Sequence, residues 1–436
     1  MVEKARLRSA VLPLPAALSG RLALTGTLAL SGTLALSTIT APGGTGAPRF
    51  DGEYGLYVRE AADTVEVRWL TVERDSGFLD VSAEGTVRAR FTTPTGRAHR
   101  VSFRRPAPGS LTLRYGALGD PVDRHATTIF PSPERGETRF GPTDSVFVIG
   151  DVHGEYDSLT ALLRNVGLIG ANGRWTGGRG HLVFLGDLFD RGPDVTRTLW
   201  FIYGLERQAE AAGGRVHVVL GNHEIMVLAG DLRYVSSKER RIAEYHGTTY
   251  PRLFNVRNSV LGKWLATKPA LIRIGRILLA HGGVSTKYLD YSLQAVDDTL
   301  ATFMGEELFH RWGQPPDSTL PPIVMDSTAL AGRMDFFFGE GSVFWYRGYV
   351  LADTLQAELA RVLDRFDSEL HVVAHTTVES VQERYGGSLV AVDLNAPASQ
   401  LLLLVDDGLQ RLRYGTEGPA EGLRPPPAAG GEAGGR

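Results

Sequence analysis

Three short clusters of acidic, imidazole and amide side chains, each set directly behind an apolar run, limit what this chain can fold into more than any other feature. Val146-Phe147-Val148-Ile149 leads into Gly150-Asp151-Val152-His153-Gly154. Leu182-Val183-Phe184-Leu185 leads into Gly186-Asp187-Leu188-Phe189-Asp190-Arg191-Gly192. Val216-His217-Val218-Val219-Leu220 leads into Gly221-Asn222-His223-Glu224. Apolar runs of this length bounded by Gly read as fully buried strands. Between them lie two helical patterns. Leu159, Leu162, Leu163 and Val166 have helical spacing, and Pro193-Asp194 opens a helix over 194–212 that Gly213-Gly214 ends. The order β-α-β-α-β predicts a sheet that is parallel at its centre. In such α/β sheets ligands gather at the carboxyl ends of the strands.

The residue types at those ends are those of a dinuclear hydrolytic centre, which needs hard oxygen and imidazole ligands and one carboxylate shared by two ions. Asp151 and His153, two residues apart, can share one ion, and Asp187 can bridge. Asn222 offers a neutral oxygen, and His281 and His375, each behind a later apolar run, can complete the second ion. This mixed nitrogen and oxygen set suits manganese, iron or zinc more than magnesium or calcium. His223 follows Asn222 directly and can protonate a leaving oxygen as general acid. Asp190 is placed to orient that imidazole and raise its pKa. Arg191 can hold phosphate oxygens bidentately. Taken singly, each cluster has an ordinary structural explanation, such as a turn, a helix N-cap or a hydrogen-bonded core histidine. Their joint occurrence behind successive strands is what points to chemistry. His181, His217, His246, His310 and His371 lack such partners in the sequence and read as structural.

Composition removes several alternatives. The chain has 436 residues, with 43% hydrophobic and 22% charged, enough for two or three domains with a sizeable core. A net charge of −3 gives no basic field for nucleic acid. With no cysteine, disulfides, a thiolate nucleophile and thiolate metal ligands are excluded.

The order of segments is as follows. Residues 1–41 begin with Lys4, Arg6 and Arg8 and continue as an apolar run with a threefold near-repeat starting at Leu22, Leu28 and Leu34. This leader resembles a secretory signal or a membrane anchor, so export to the periplasm or the exterior is expected, with a cytoplasmic location as the alternative. Residues 42–50 are a linker. Residues 51–118 alternate with period two, as in Val65, Val67 and Trp69 against Glu66 and Arg68, and predict a small antiparallel β-sandwich without a ligand cluster. Residues 119–144 read as an extended connector kept irregular by Pro131, Pro133 and Pro142. The catalytic domain is expected over 145–408, with a helical insertion at 225–270 above the strand ends. Within it, 271–280 reads as two strands around Gly275, 293–310 and 353–366 as helices, and 313–333 as irregular. Strands are expected at 370–374, near 388–394 and at 400–405. The tail at 416–436 is disordered by composition.

The motifs Gly-Asp-Val-His-Gly, Gly-Asp-Leu-Phe-Asp-Arg-Gly and Gly-Asn-His-Glu, followed by His281-Gly282-Gly283 and His375, resemble those of the calcineurin-like metallophosphoesterases. More closely, they resemble the phosphoprotein phosphatase (PPP) family, over residues 145–394. The resemblance implies a β-sandwich of two mixed sheets flanked by helices. It implies one metal held by Asp151, His153 and Asp187 and another by Asp187, Asn222, His281 and His375. It makes His223 with Asp190 the proton donor pair and gives phosphate to Arg191. The sequence departs from the eukaryotic Ser/Thr enzymes in having Leu220 before Gly-Asn-His-Glu and in lacking their late Ser-Ala-Pro-Asn-Tyr motif. Asp231-Leu232-Arg233-Tyr234-Val235 and Trp345-Tyr346-Arg347-Gly348-Tyr349 are instead similar to the Shewanella-like branch, in which Arg347 would be a second phosphate-binding residue. The module at 51–118 resembles, in pattern and position, the fibronectin-like domain ahead of purple acid phosphatases.

The expectation is therefore a phosphomonoesterase carrying two divalent metal ions, manganese or iron and alternatively zinc. A hydroxide bridging them would attack phosphorus, and His223 would act as general acid. Its substrate would be a phosphorylated protein, on Ser/Thr or Tyr, or a small phosphoester. A nucleotide or dinucleoside polyphosphate hydrolase on the same core is the alternative. A non-catalytic binding protein would be expected to have lost a ligand, and none is missing here.

Overall fold

A computed structural model describes residues 55–132, 134–311, 327–419 and 421–423. The leader at 1–41, the linker at 42–50, the first residues of the β-module and the tail from 424 lie outside them. The period-two segments form strands β1 (Tyr57–Ala61), β2 (Thr64–Ala83), β3 (Thr86–Arg104), β4 (Leu111–Ala117) and β5 (Arg124–Ile129), joined in one antiparallel sheet. β2 and β3 are 20 and 19 residues long. Register shifts at Leu70/Asp75, Ser76/Phe78 and Val81/Ser82 interrupt their pairing. Extra residues on one strand bend and twist it, so one edge of β2 takes β1 along 64–68 and β4 along 77–83. Val65, Val67 and Trp69 are buried in its core.

The connector expected at 119–144 is corrected by β5 and by β6 (Arg139–Phe140). Each strand ends before its proline, β5 ahead of Pro131 and β6 ahead of Pro142, so the prolines bound strands instead of preventing them.

The strands behind the three clusters are β7 (Ser145–Ile149), β8 (His181–Phe184) and β9 (Arg215–Val218), and both neighbouring pairs are parallel. Helices α1 (Tyr156–Asn165) and α2 (Val195–Ala211) connect them. Helices α3 (Asn222–Ala229), α4 (Ser237–Tyr245), α5 (Tyr250–Leu253) and α6 (Val260–Leu265) fill the stretch after β9. Next come β10 (Leu271–Ile274) and β11 (Ile277–Ala280), an antiparallel pair that turns at Gly275 with φ +54°. The chain returns through β12 (Leu370–Val373), β13 (Gln382–Arg384), β14 (Leu389–Ala391), β15 (Gln400–Val405), β16 (Gln410–Gly415) and β17 (Glu421–Gly422).

Two six-stranded mixed sheets result, ordered β13-β14-β12-β11-β10-β6 and β17-β16-β15-β7-β8-β9. Val146, Val148, Val183, Ile272, Leu279, Val372, Val390 and Leu402 share one apolar core between them. Ile149, Leu182 and Phe184 pack outward with the buried side of α1 and α2, and Val373, Leu389 and Ala391 with the residues of 349–363. The parallel core is thus one part of a helix-flanked β-sandwich, with β7, β8 and β9 parallel in one sheet and β11 and β12 parallel in the other.

Two further expectations are corrected. Helix Ser327–Phe338 occupies part of the stretch read as irregular, because Phe336, Phe337 and Phe338 are drawn into the core. β16 and β17 extend the sandwich beyond 408 and into the segment read as tail. No helix among the described residues is long and apolar enough to cross a membrane.

The N-terminal sheet does not stand apart. Its buried residues belong to the same apolar cluster as those of α2, α5 and α6. Polar contacts pin it in place. Trp200 Nε1 donates to the Leu56 carbonyl at 3.0 Å, His246 Nε2 to that of Gly55 at 2.6 Å, and Arg68 to that of His246 at 2.5 Å.

Candidate active site

Each strand end turns sharply into its cluster, and the backbone shows the cost. His153, Asp187, Asp190, Arg191 and His375 all have positive φ, from 47° to 68°. Non-glycine residues in this region carry strain of about 1–3 kcal/mol each and need surroundings that hold them there. Gly221 fills one crowded point, where a Cβ would fall 2.3 Å from Asp187 Oδ1 and 2.5 Å from the Asp187 nitrogen.

Asp187, 1% exposed, is the centre. Its Oδ1 lies 3.3 Å from His281 Nε2 and accepts from the His223 backbone N–H at 2.9 Å. Its Oδ2 lies 3.8 Å from both His153 Nε2 and His223 Nε2. Two groups of ligand atoms, each within 4.8 Å, share this carboxylate: His153, Asp187 and His223 on one side, Asp187, His281 and His375 on the other. Asp151 joins the first through a 3.4 Å contact of Oδ2 with His153 Nε2, and touches the second where Oδ1 accepts from the His375 N–H at 3.3 Å. Asn222 Oδ1 is 3.0 Å from His281 Nε2. The six residues expected as ligands are therefore gathered in one place.

Tautomers are fixed from behind. His153 Nδ1 donates to the Phe189 carbonyl at 2.7 Å, and His281 Nδ1 to that of Leu185 at 2.6 Å. The Nε2 atoms then face the carboxylates, the orientation that outer hydrogen bonds give metal-binding imidazoles. The buried Nε2 atoms of His153 and His375 have no hydrogen-bond partner. Burial works against protonating His153, yet the adjacent Asp151 carboxylate and the charge of Asp187 push its pKa up to about 9. Asp187 and Asp151 push that of His281 up to about 10, again against burial. Asp187 is held well below the usual carboxylate range by His281, His223 and His153, although burial opposes this. A buried pair of carboxylates that draws in protons to this degree is a site for positive charge, so the residues present fit divalent ions.

The expected donor pair is also assembled. His223 Nδ1 meets Asp190 Oδ2 at 2.6 Å, both buried. Nε2 is left toward the Asp187 side. Burial pushes the Asp190 carboxyl up despite its bond to His223. Arg191 and Arg347 are exposed at the rim. Arg347 lies within electrostatic reach of Asp151, Asp187 and Arg191 and is held by the His375 carbonyl at 2.6 Å.

Sequence reasoning missed two residues. Glu224, fully buried, accepts four backbone N–H groups: Gly221 at 2.6 Å and Asp187 at 2.8 Å on Oε2, Leu188 at 2.7 Å and Phe189 at 3.2 Å on Oε1. It ties the second cluster to the third. Its signal was its place in the first turn of α3, where an acid can reach back to the cap. Asp393 is buried behind β14, accepts from Thr377 at 3.1 Å, and is pushed up to about 7 by burial and by Asp151 and Asp187. The strand-end rule that found the other acids applied to Asp393 as well.

Residues 145–379 match the calcineurin-like phosphoesterase family. The chain belongs to that family. Within it the similarities run to the Shewanella-like branch of the phosphoprotein phosphatases. Over 102 residues the chain is 42% identical to Shewanella-like protein phosphatase 2 of Arabidopsis thaliana, covering 23% of this chain and 26% of that one. Over 239 residues it is 29% identical to Shewanella-like protein phosphatase 1 of Plasmodium berghei, covering 54% and 62%. The matched stretches thus span less than two thirds of these relatives. The crystal structure of a cold-active protein-tyrosine phosphatase from a psychrophilic Shewanella superposes with a TM-score of 0.60 at 29% identity, covering 73% of this chain and 97% of that one. The family implies divalent metal ions, and the clusters around Asp187 are groups that could hold them.

Proposed function

We propose that this phosphoesterase removes phosphate from protein side chains, phosphotyrosine included, with two ions of manganese or iron. The observation that carries the reading is the pairing of an assembled donor dyad, His223–Asp190 at 2.6 Å, with ligand groups that share Asp187. When bound, a pair of divalent cations lowers the pKa of water and withdraws charge from phosphoryl oxygens. The chain's own residues do the rest. Arg191 and Arg347, exposed at the rim, bind the phosphate oxygens and orient the ester. His223, held by Asp190, gives its Nε2 proton to the departing ester oxygen as the P–O bond breaks. Asp187 and Asp151 hold compensating charge in place. The Shewanella-like relatives, and the tyrosine phosphatase with a similar fold, support a phosphoprotein substrate.

The test compares metal-reconstituted enzyme on phosphotyrosine and phosphoserine peptides and on a dinucleoside tetraphosphate. The proposal expects faster turnover of a peptide, and faster cleavage of the dinucleotide would replace it with the polyphosphate reading. The basic and apolar composition of residues 1–41 further supports export. N-terminal sequencing of the mature protein decides this, since a soluble product retaining Met1 would count against it.

A further inference from the structure

His223 has two ring neighbours of opposite character. The His153 imidazole meets it edge-on at 4.9 Å and is buried. The Tyr234 ring lies 5.3 Å away at 58°, and Tyr234 is 49% exposed. The proton donor is thus bordered by the ligand cluster on one side and by an open aromatic face on the other.

That face is held in position. Tyr234 lies in the loop between α3 and α4, and its carbonyl accepts the Arg191 N–H at 2.9 Å, which ties it to the expected phosphate clamp. Arg233 lies over the ring at 5.6 Å. Its guanidinium is paired with Asp231, with Nη2 at 2.8 Å and Nε at 3.0 Å from Oδ2. Arg240 of α4 donates to the Leu232 and Val235 carbonyls and anchors the loop. An exposed aromatic kept at a fixed place beside a proton donor is arranged to receive something.

We propose that Tyr234 is a specificity-determining residue for aryl phosphate esters, its ring packing against the aromatic leaving group. The inference rests on the phosphomonoesterase reading above and names which esters the site favours. In the reaction, oxygen from water forms a bond to phosphorus and sheds a proton to solvent, the ester P–O bond breaks, the ester oxygen takes the His223 proton, and solvent restores that proton to His223. In an aryl ester that oxygen is attached directly to a ring. The His223 and Tyr234 ring centroids are 5.3 Å apart, so an aryl group carried on an oxygen held at His223 would meet the Tyr234 face, and aromatic pairs attract at about 4.5–7 Å. The single methylene of a phosphoserine has no such surface to offer.

The experiment measures kcat/KM for phenyl phosphate and glycerol 2-phosphate, and for phosphotyrosine and phosphoserine forms of one peptide, in the wild-type holoenzyme, Tyr234→Phe and Tyr234→Leu. The ratio of aryl to alkyl kcat/KM should fall by roughly threefold to tenfold in Tyr234→Leu and hold in Tyr234→Phe. Equilibrium binding of phenylphosphonate against methylphosphonate should shift in the same sense, and decides the matter without turnover. An unchanged ratio in Tyr234→Leu overturns the proposal. So does an equal loss on both ester classes, which would make Tyr234 a support for His223 only. Turnover of phenyl phosphate but of neither peptide would refute the phosphoprotein substrate and leave the Tyr234 assignment to the small esters and the phosphonates.

Discussion

Besides His153 and His223, two further pairs of histidines in the catalytic sandwich have almost the same spacing. His281 and His375, behind β11 and β12, have ring centroids 4.9 Å apart. His181 opens β8, His217 is the third residue of β9, and their ring centroids are 5.0 Å apart. The first pair faces Asp187 and Asp151, and His281 is pushed up to about 10, while burial, then His281 and Arg347, hold His375 well below its ordinary value. The second pair faces itself, with Nε2 of His217 3.2 Å from Nδ1 of His181, together with Phe140 and Arg215. Burial and Arg215 hold His181 down at about 4. Burial, then His181, Arg215 and Lys268, hold His217 well below its ordinary value. Two imidazoles at 5 Å are therefore no centre by themselves. Carboxylates beside the imidazole, which His281 has and the second pair lacks, are what draws in positive charge.

The comparison breaks most visibly at Asp187. Asp187→Asn should cost at least about a thousandfold in kcat and lower the metal content measured by plasma emission. His217→Ala should leave that content unchanged, and retained metal and rate in Asp187→Asn would remove the distinction. His223→Asn should lower kcat by roughly 10²–10⁴ while both ions stay bound. Loss of metal in that variant would show that His223 serves as a ligand, as its place in the first ligand group allows. Glu224→Gln touches no substrate but disturbs the loops at 187–189 and 221, so metal affinity should weaken by roughly 10–100-fold, read by competition with a chelator. The smallest effect concerns the other pair. With its folded pKa depressed below 6.5, His217 contributes stability that is fully present above that pH and lost as pH falls below it. Urea unfolding should weaken by up to about 1.4 kcal/mol per pH unit for this one imidazole. His217→Gln should flatten that slope below pH 6.5, and a slope unaltered by the substitution would mean that His217 is not buried neutral.

How far the sequence could be read follows from the range of each interaction. Asp151, Asp187 and Asn222 were legible because a strand end is a local event, an apolar run stopped by Gly. The turn at Gly275 was legible for the same reason. Glu224 was not, because its role lies in N–H groups of another loop, 35 to 37 residues earlier. β5 was hidden by a rule applied too widely, since Pro131 ends a strand as readily as it prevents one. The helix at Ser327–Phe338 has Gly332 inside it and three consecutive Phe at its end, a pattern with no single apolar face. Only the surrounding core gives those rings a place. The pairing of two mixed sheets was visible through family resemblance and not through periodicity, because contacts between sheets leave no mark on spacing within a strand.

The seam between the N-terminal sheet and the helices after β9 has a consequence for any mutational screen. Its apolar cluster is continuous and its first described residues are bonded to Trp200 and His246. The two parts should therefore melt as one cooperative unit. Substitutions at Trp69 or Val67, far along the chain from the strand-end clusters, will be scored as loss of enzyme. A map of deleterious positions drawn without a stability control would place half of a catalytic centre in a sheet that contains none of it.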